Sequence, residues 1–167
     1  MTLFTTIAVN LRSILFACGT VLSPIFIVAC QTLDPVVYEC QELLDTINSV
    51  VTEAQNITES EQSLDGDDPN LDVWLQAADT LKQGSEAIAT LDIKSPILAT
   101  YQTKISEVYS EQAEATYNMV DAWQKKNLDT AFAAQNRTKA AGEVEKVTGE
   151  SLNTYCQKKE QEAQAET

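Results

Sequence analysis

Histidine is absent from the 167 residues, and basic residues are scarce: 11 Lys and Arg stand against 25 Asp and Glu, a formal charge of −14. Without His there is no Ser-His or Cys-His nucleophile, no His-ligated zinc or haem, and no side chain whose ordinary pKa falls near neutrality. A surface of this sign repels phosphate, which excludes nucleic acid as a partner. Glycine (5) and proline (4) are too few for a loop-rich or collagenous chain. Aromatic residues make up only 7%, yet 44% of the chain is apolar, too much for an acidic disordered polypeptide. The length suits one domain.

Charge is also missing locally. The first thirty residues carry Arg12 and no acid, and Ser13–Ala29 is a mostly apolar run interrupted by Gly19, Ser23 and Pro24. A charged start, an apolar core and a small-residue exit describe a cleaved export signal over 1–29. The other reading is a membrane span, but seventeen residues with a central Pro sit at the short limit for spanning. The exit, Ile27-Val28-Ala29-Cys30, resembles the lipobox of bacterial lipoproteins. That resemblance implies that Cys30 becomes the first mature residue and carries lipid, leaving 30–34 as a short tether. Ordinary cleavage beside Cys30 is the alternative. Anchoring needs more than one acyl chain, at about 0.8 kcal/mol per buried CH2, and the lipoprotein pattern supplies two or three. By resemblance to Gram-negative sorting, Gln31 after the Cys points to the outer membrane.

Four cysteines then have three fates. Cys18 leaves with the signal and Cys30 is the lipid site, so Cys40 and Cys156 remain, 116 residues apart. In an oxidising compartment such a pair reads as a disulfide, against two unrelated buried thiols.

The rest of the chain is punctuated for helices. Asp34-Pro35, Asp68-Pro69 and Ser95-Pro96 each place a capping side chain before a proline, a start signal for three helices. A fourth start follows Lys125-Lys126-Asn127, with Asn127 suited to a left-handed turn and Asp129 to capping. Apolar residues recur at steps of three and four: Val37, Cys40, Leu43, Leu44, Ile47 in the first segment, Trp74, Ala78, Leu81, Ile88 in the second, Leu98, Tyr101, Ile105, Val108, Tyr109 in the third. The fourth carries two faces, Leu128/Ala131/Phe132 and Val144/Val147/Tyr155, which suggests a bend or a change of packing partner. No alternating run marks a strand. These signals predict an all-α, antiparallel up-down-up-down four-helix bundle over 35–160, with helices at about 35–61, 69–92, 96–126 and 129–160 and a polar tail at 161–167. In that topology Cys40 and Cys156 share one end of the bundle, beside the tether.

Little in the sequence carries chemistry. Asp65-Gly66-Asp67-Asp68 has its Gly in the wrong place for a calcium loop. Glu107, Glu111 and Glu114 form a carboxylate row on the third helix, but a di-iron bundle also needs His. Expected metals and cofactors are therefore none, and no acid-base-nucleophile set can be assembled. Tyr101, Tyr109, Tyr117, Tyr155 and Trp123 could rim an interaction surface or serve as core-edge aromatics.

Cys30, Cys40, Tyr101-Gln102 with Tyr109, and Asn153-Thr154-Tyr155-Cys156 together resemble a pattern of small cyanobacterial lipoproteins. The resemblance implies an envelope location and brings no known activity. The sequence thus points to a non-enzymatic lipoprotein, held on a membrane through Cys30, that meets another envelope protein. A carrier holding a small apolar ligand between its helices is the alternative.

Overall fold

The computed structural model describes residues 34–60 and 70–165. They form four helices: α1 (Pro35–Ser60), α2 (Leu71–Ala89), α3 (Pro96–Gln124) and α4 (Leu128–Ala165). Cys18, Cys30, the acidic connection after α1 and the Asp68-Pro69 signal lie outside the described residues.

Two of the expected starts form as read. Asp34 Oδ1 accepts the Val36 N–H at 2.8 Å and opens α1. Ser95 caps α3, with Pro96 in its first turn. The other two starts differ. Asn70 caps α2, which begins at Leu71, by accepting the Asp72 N–H at 3.2 Å. Asn127, not Asp129, caps α4 by accepting the Thr130 N–H at 3.2 Å. Because Asn127 serves as the cap, the left-handed residue of the α3–α4 turn is Lys126, at φ 56°. The turn closes with the Asn127 N–H on the Ala122 carbonyl at 2.9 Å, which satisfies a helix-end acceptor.

Residue pairs fix the directions. Tyr117 meets Asp79 and Gln102 meets Ile88, so α2 and α3 are antiparallel. Arg137 meets Glu111 and Tyr155 meets Tyr101, so α3 and α4 are antiparallel. Glu39 reaches Lys94 while Val50 packs on Gly84, which orients α1 against α2. The molecule is an all-α four-helix bundle. Its helices do not contribute equally. α3 packs extensively on both α2 and α4, whereas α1 and α4 meet far less. One of their meeting points is the disulfide Cys40–Cys156, with Cα atoms 5.6 Å apart.

The core is the expected stripes: Leu43, Ile88, Leu98, Ile105, Tyr109 and Leu152 are among its sealed side chains. The first half of the stripe that α4 buries is built from small residues, Ala131, Ala134 and Ala141, and α3 buries Ala115 and Ala122. Small facing residues let two helix backbones approach closely. Gly84 does the same between α1 and α2, where an added Cβ would collide with both Val50 methyl groups.

α4 is one uninterrupted helix through Gly142 and Gly149. It also absorbs most of the expected tail, ending at Ala165 rather than near 160. Glu162 lies one turn from both Lys158 and Lys159 and pairs with each, at 3.7 and 2.7 Å. Such pairs support an exposed helix end.

Candidate interaction surface

The end of the bundle where the chain enters at Asp34 is held by polar links as well as by sulfur. The Glu39 carboxylate, almost fully buried, accepts the backbone N–H groups of Lys94 (3.0 Å) and Ser95 (2.9 Å). It therefore ties α1 to the α2–α3 loop one residue before Cys40. Gln102 donates from Nε2 to the carbonyls of Ile88 (2.8 Å) and Leu91 (2.9 Å), closing the exposed end of α2. Neither role has a sequence signature, because each depends on a partner eleven or more residues away.

The aromatic residues do not share a face. Tyr101 is half-buried at this end, with its ring 6.2 Å from Tyr155 and Lys159 Nζ 6.0 Å from the Tyr155 centroid. Tyr117 lies further along α3 and donates to Asp79 at 2.6 Å; burial and that carboxylate push its phenol up to about 12. Trp123 sits at the opposite end, 38% exposed beside the α3–α4 turn. Tyr109 is fully buried, which corrects its place in the expected surface. It follows Ile105 by one turn on the core side of α3, and the ring's area outweighs the cost of its hydroxyl.

Tyr109 belongs to a polar pocket in the α3–α4 seam. Gln112 Nε2 donates to Glu145 Oε2 at 2.8 Å. Burial raises the Glu145 carboxyl above its ordinary value, against the lowering effect of hydrogen bonding. The Tyr109 hydroxyl makes no hydrogen bond of ordinary geometry but lies within electrostatic reach of Glu145, and burial first, then that charge, hold the phenol well above its ordinary value. Tyr109 and Gln112 are buried and Glu145 partly so, and none of the three lines either of the grooves described next.

Those two grooves mark the outside of the bundle. One of about 660 Å³ lies between α1 and α2 and is lined largely by polar side chains, including Asn48, Thr52, Glu53 and Gln76. The other, about 500 Å³, lies between α3 and α4 with Val108, Ala140, Ala141 and Val144 along its floor. The second face read on the fourth segment divides: Tyr155 packs against Tyr101, while Val144 and Val147 stay 51% and 61% exposed among the described residues. The Glu107/Glu111/Glu114 row is exposed except at Glu111, which is half-buried and paired with Arg137 at 2.7 Å. No described helix is long and apolar enough to cross a membrane.

Fold and surface together define a disulfide-closed helical bundle with these two grooves on the exterior of its described residues. Comparison with family models, curated proteins and solved structures found no match.

Proposed function

We propose that this chain is a non-enzymatic envelope lipoprotein, a membrane-tethered helical bundle that serves as an interaction or accessory subunit for another envelope protein. The observation that carries the reading is the Cys40–Cys156 disulfide. Structural disulfides persist in oxidising compartments and are rare where thiols are kept reduced. The sequence supplies an address to match, an apolar segment ending in Ile27-Val28-Ala29-Cys30. Lipid on Cys30 would be the anchor, since the −15 charge left after loss of Arg12 repels anionic headgroups. Gln31 favours the outer membrane.

An interaction module fits the bundle better than a carrier. A carrier needs an apolar slot between helices. The seams here are filled by Leu43, Ile88, Leu98, Ile105, Tyr109 and Leu152, and the two grooves lie outside them.

The test is the mass of the N-terminal peptide of the mature chain, with Cys30→Ser as control. A peptide beginning at Cys30 with the added mass of a lipidated cysteine is expected, and the variant should be soluble or left uncleaved. Unchanged processing and membrane retention of Cys30→Ser would reject lipidation.

A further inference from the structure

We propose that the bundle stands on end at its membrane, with the last turns of α4 meeting the lipid headgroups beside the tether and the α3–α4 turn held away from the bilayer. The proposal rests on the lipoprotein reading and names the surface that faces the lipid.

The register of the two terminal helices gives the overhang. The Cys40–Cys156 bond sets a Cα of α1 5.6 Å from a Cα of α4. From that level both helices run toward the same end of the bundle, since they are antiparallel. α1 has five residues left to its first, Pro35, about 8 Å at 1.5 Å per residue. α4 has nine left to Ala165, about 14 Å. The end of α4 therefore projects about 6 Å past the start of α1. It also outruns α3, which begins five residues beyond Tyr101, whereas α4 ends ten residues beyond Tyr155, the ring that Tyr101 meets. The tether enters beside this tip, because Asp34 lies within electrostatic reach of Lys159. Four residue steps separate Asp34 from Cys30, a reach of about 14 Å at most.

Charge and reach together exclude the sides of the bundle. α1 carries five acids and no base, α2 three acids and one lysine, and α3 four acids and one lysine, whereas α4 carries six acids and five bases. An anionic leaflet therefore repels every side but that of α4. α4 does not lie down within the length of the tether. Val147, on its exposed face, is nine residues from Cys156, two and a half turns, so it points away from the sulfur that faces α1. With Val147 on the bilayer, α1 rides on top of α4. The α1 axis then stands about 8–10 Å above an axis that is itself about 5–6 Å above the lipid, which takes up the whole reach of the tether. On end, Asp34 needs little more than the overhang of about 6 Å. Standing also lifts most of the acidic helices beyond the screening length, about 8–10 Å.

The experiment reads tryptophan quenching in the cell-produced mature chain, reconstituted into vesicles of phosphatidylcholine, brominated near the headgroup end of its acyl chains, with a minor share of phosphatidylglycerol. Both native tryptophans serve as the far-end control: Trp74 is in the first turn of α2 and Trp123 in the last turn of α3, about 48 Å from the end of α4 at 1.5 Å per residue. Ala165→Trp reports the tip and Val147→Trp the side; both positions are exposed, and helicity is checked by circular dichroism. The emission lost to bromine should be at least fivefold greater in Ala165→Trp than in the native chain or in Val147→Trp. Flotation with the vesicles is measured on the same samples. A chain that does not float overturns the lipoprotein reading and this proposal with it. A chain that floats with Val147→Trp or the native tryptophans quenched as strongly as Ala165→Trp lies on its side, and one that floats with no quenching keeps its tip off the lipid; either overturns the proposal alone.

Discussion

Gly84 of α2 faces Val50 of α1 so closely that a methyl group on Gly84 would overlap both Val50 side-chain methyls. Val50 is β-branched and stiff, so it cannot swing clear. Gly84→Ala gains about 1 kcal/mol of helix propensity but overpacks the seam, at a cost of about 1–3 kcal/mol. Net destabilisation is expected in urea unfolding. Adding Val50→Ala should recover part of it, and strictly additive effects would refute the contact.

Reducing the Cys40–Cys156 bond should lower stability without dissolving the helices. The loop closed is 116 residues, for which loop-closure entropy gives about 4–5 kcal/mol as an upper figure. Urea midpoints with and without reductant measure it. Collapse of the far-ultraviolet helical signal on reduction, in the absence of urea, would show that the stripes alone cannot hold the bundle.

Glu39 should behave as a backbone acceptor first and a charge second. Glu39→Ala strands the N–H groups of Lys94 and Ser95, at a cost of about 1–3 kcal/mol. Glu39→Gln keeps one acceptor oxygen and should lose clearly less. Equal losses, read from denaturant midpoints, would mean that the charge is what matters.

Glu145 sets a pH dependence of known sign. Its carboxyl is raised in the folded chain, chiefly by burial. The stability it contributes is therefore complete below the unfolded carboxyl pKa, about 4.3, and is lost as pH rises through the folded value. Glu145→Gln removes that loss and leaves Gln112 an acceptor. The melting temperature of the variant relative to the native chain should rise between pH 4 and pH 8; a flat or falling difference contradicts the assignment. General repulsion among acids acts in the same direction. It is separated by salt, which should raise the melting temperature of both chains more at pH 8 than at pH 5.

The fold was legible wherever one residue announces a local event. Asp34-Pro35 and Ser95-Pro96 open helices because capping and proline geometry need nothing distant. Asn127 took over from Asp129 because several polar residues near a helix start can each accept the same orphan N–H groups, and sequence does not rank them. The disulfide was legible because two cysteines remained in a chain read as exported, and the expected topology separately put them at one end. Glu39, Gln102, Gln112 and Glu145 were not, since their meaning lies in partners on other helices. Tyr109 illustrates a different gap: its spacing assigned it to the core stripe, its aromatic character suggested an interaction surface, and the spacing was the better guide. The second face of α4 was visible as Val144, Val147 and Tyr155, but that Tyr155 packs on α3 while the two valines stay exposed among the described residues emerges only from packing.

The sulfur link also decides how the molecule carries force. A pull applied through the residues preceding Asp34 and resisted by something seated on α4 runs along the first turns of α1 to Cys40, crosses to Cys156 and continues into α4. The rest of α1, all of α2 and all of α3 are bypassed, so tension on that line cannot unravel them while the bond is intact. A string drawn at one end thus tightens against the longest helix directly, and the bundle behaves as a short, inextensible coupling rather than a spring.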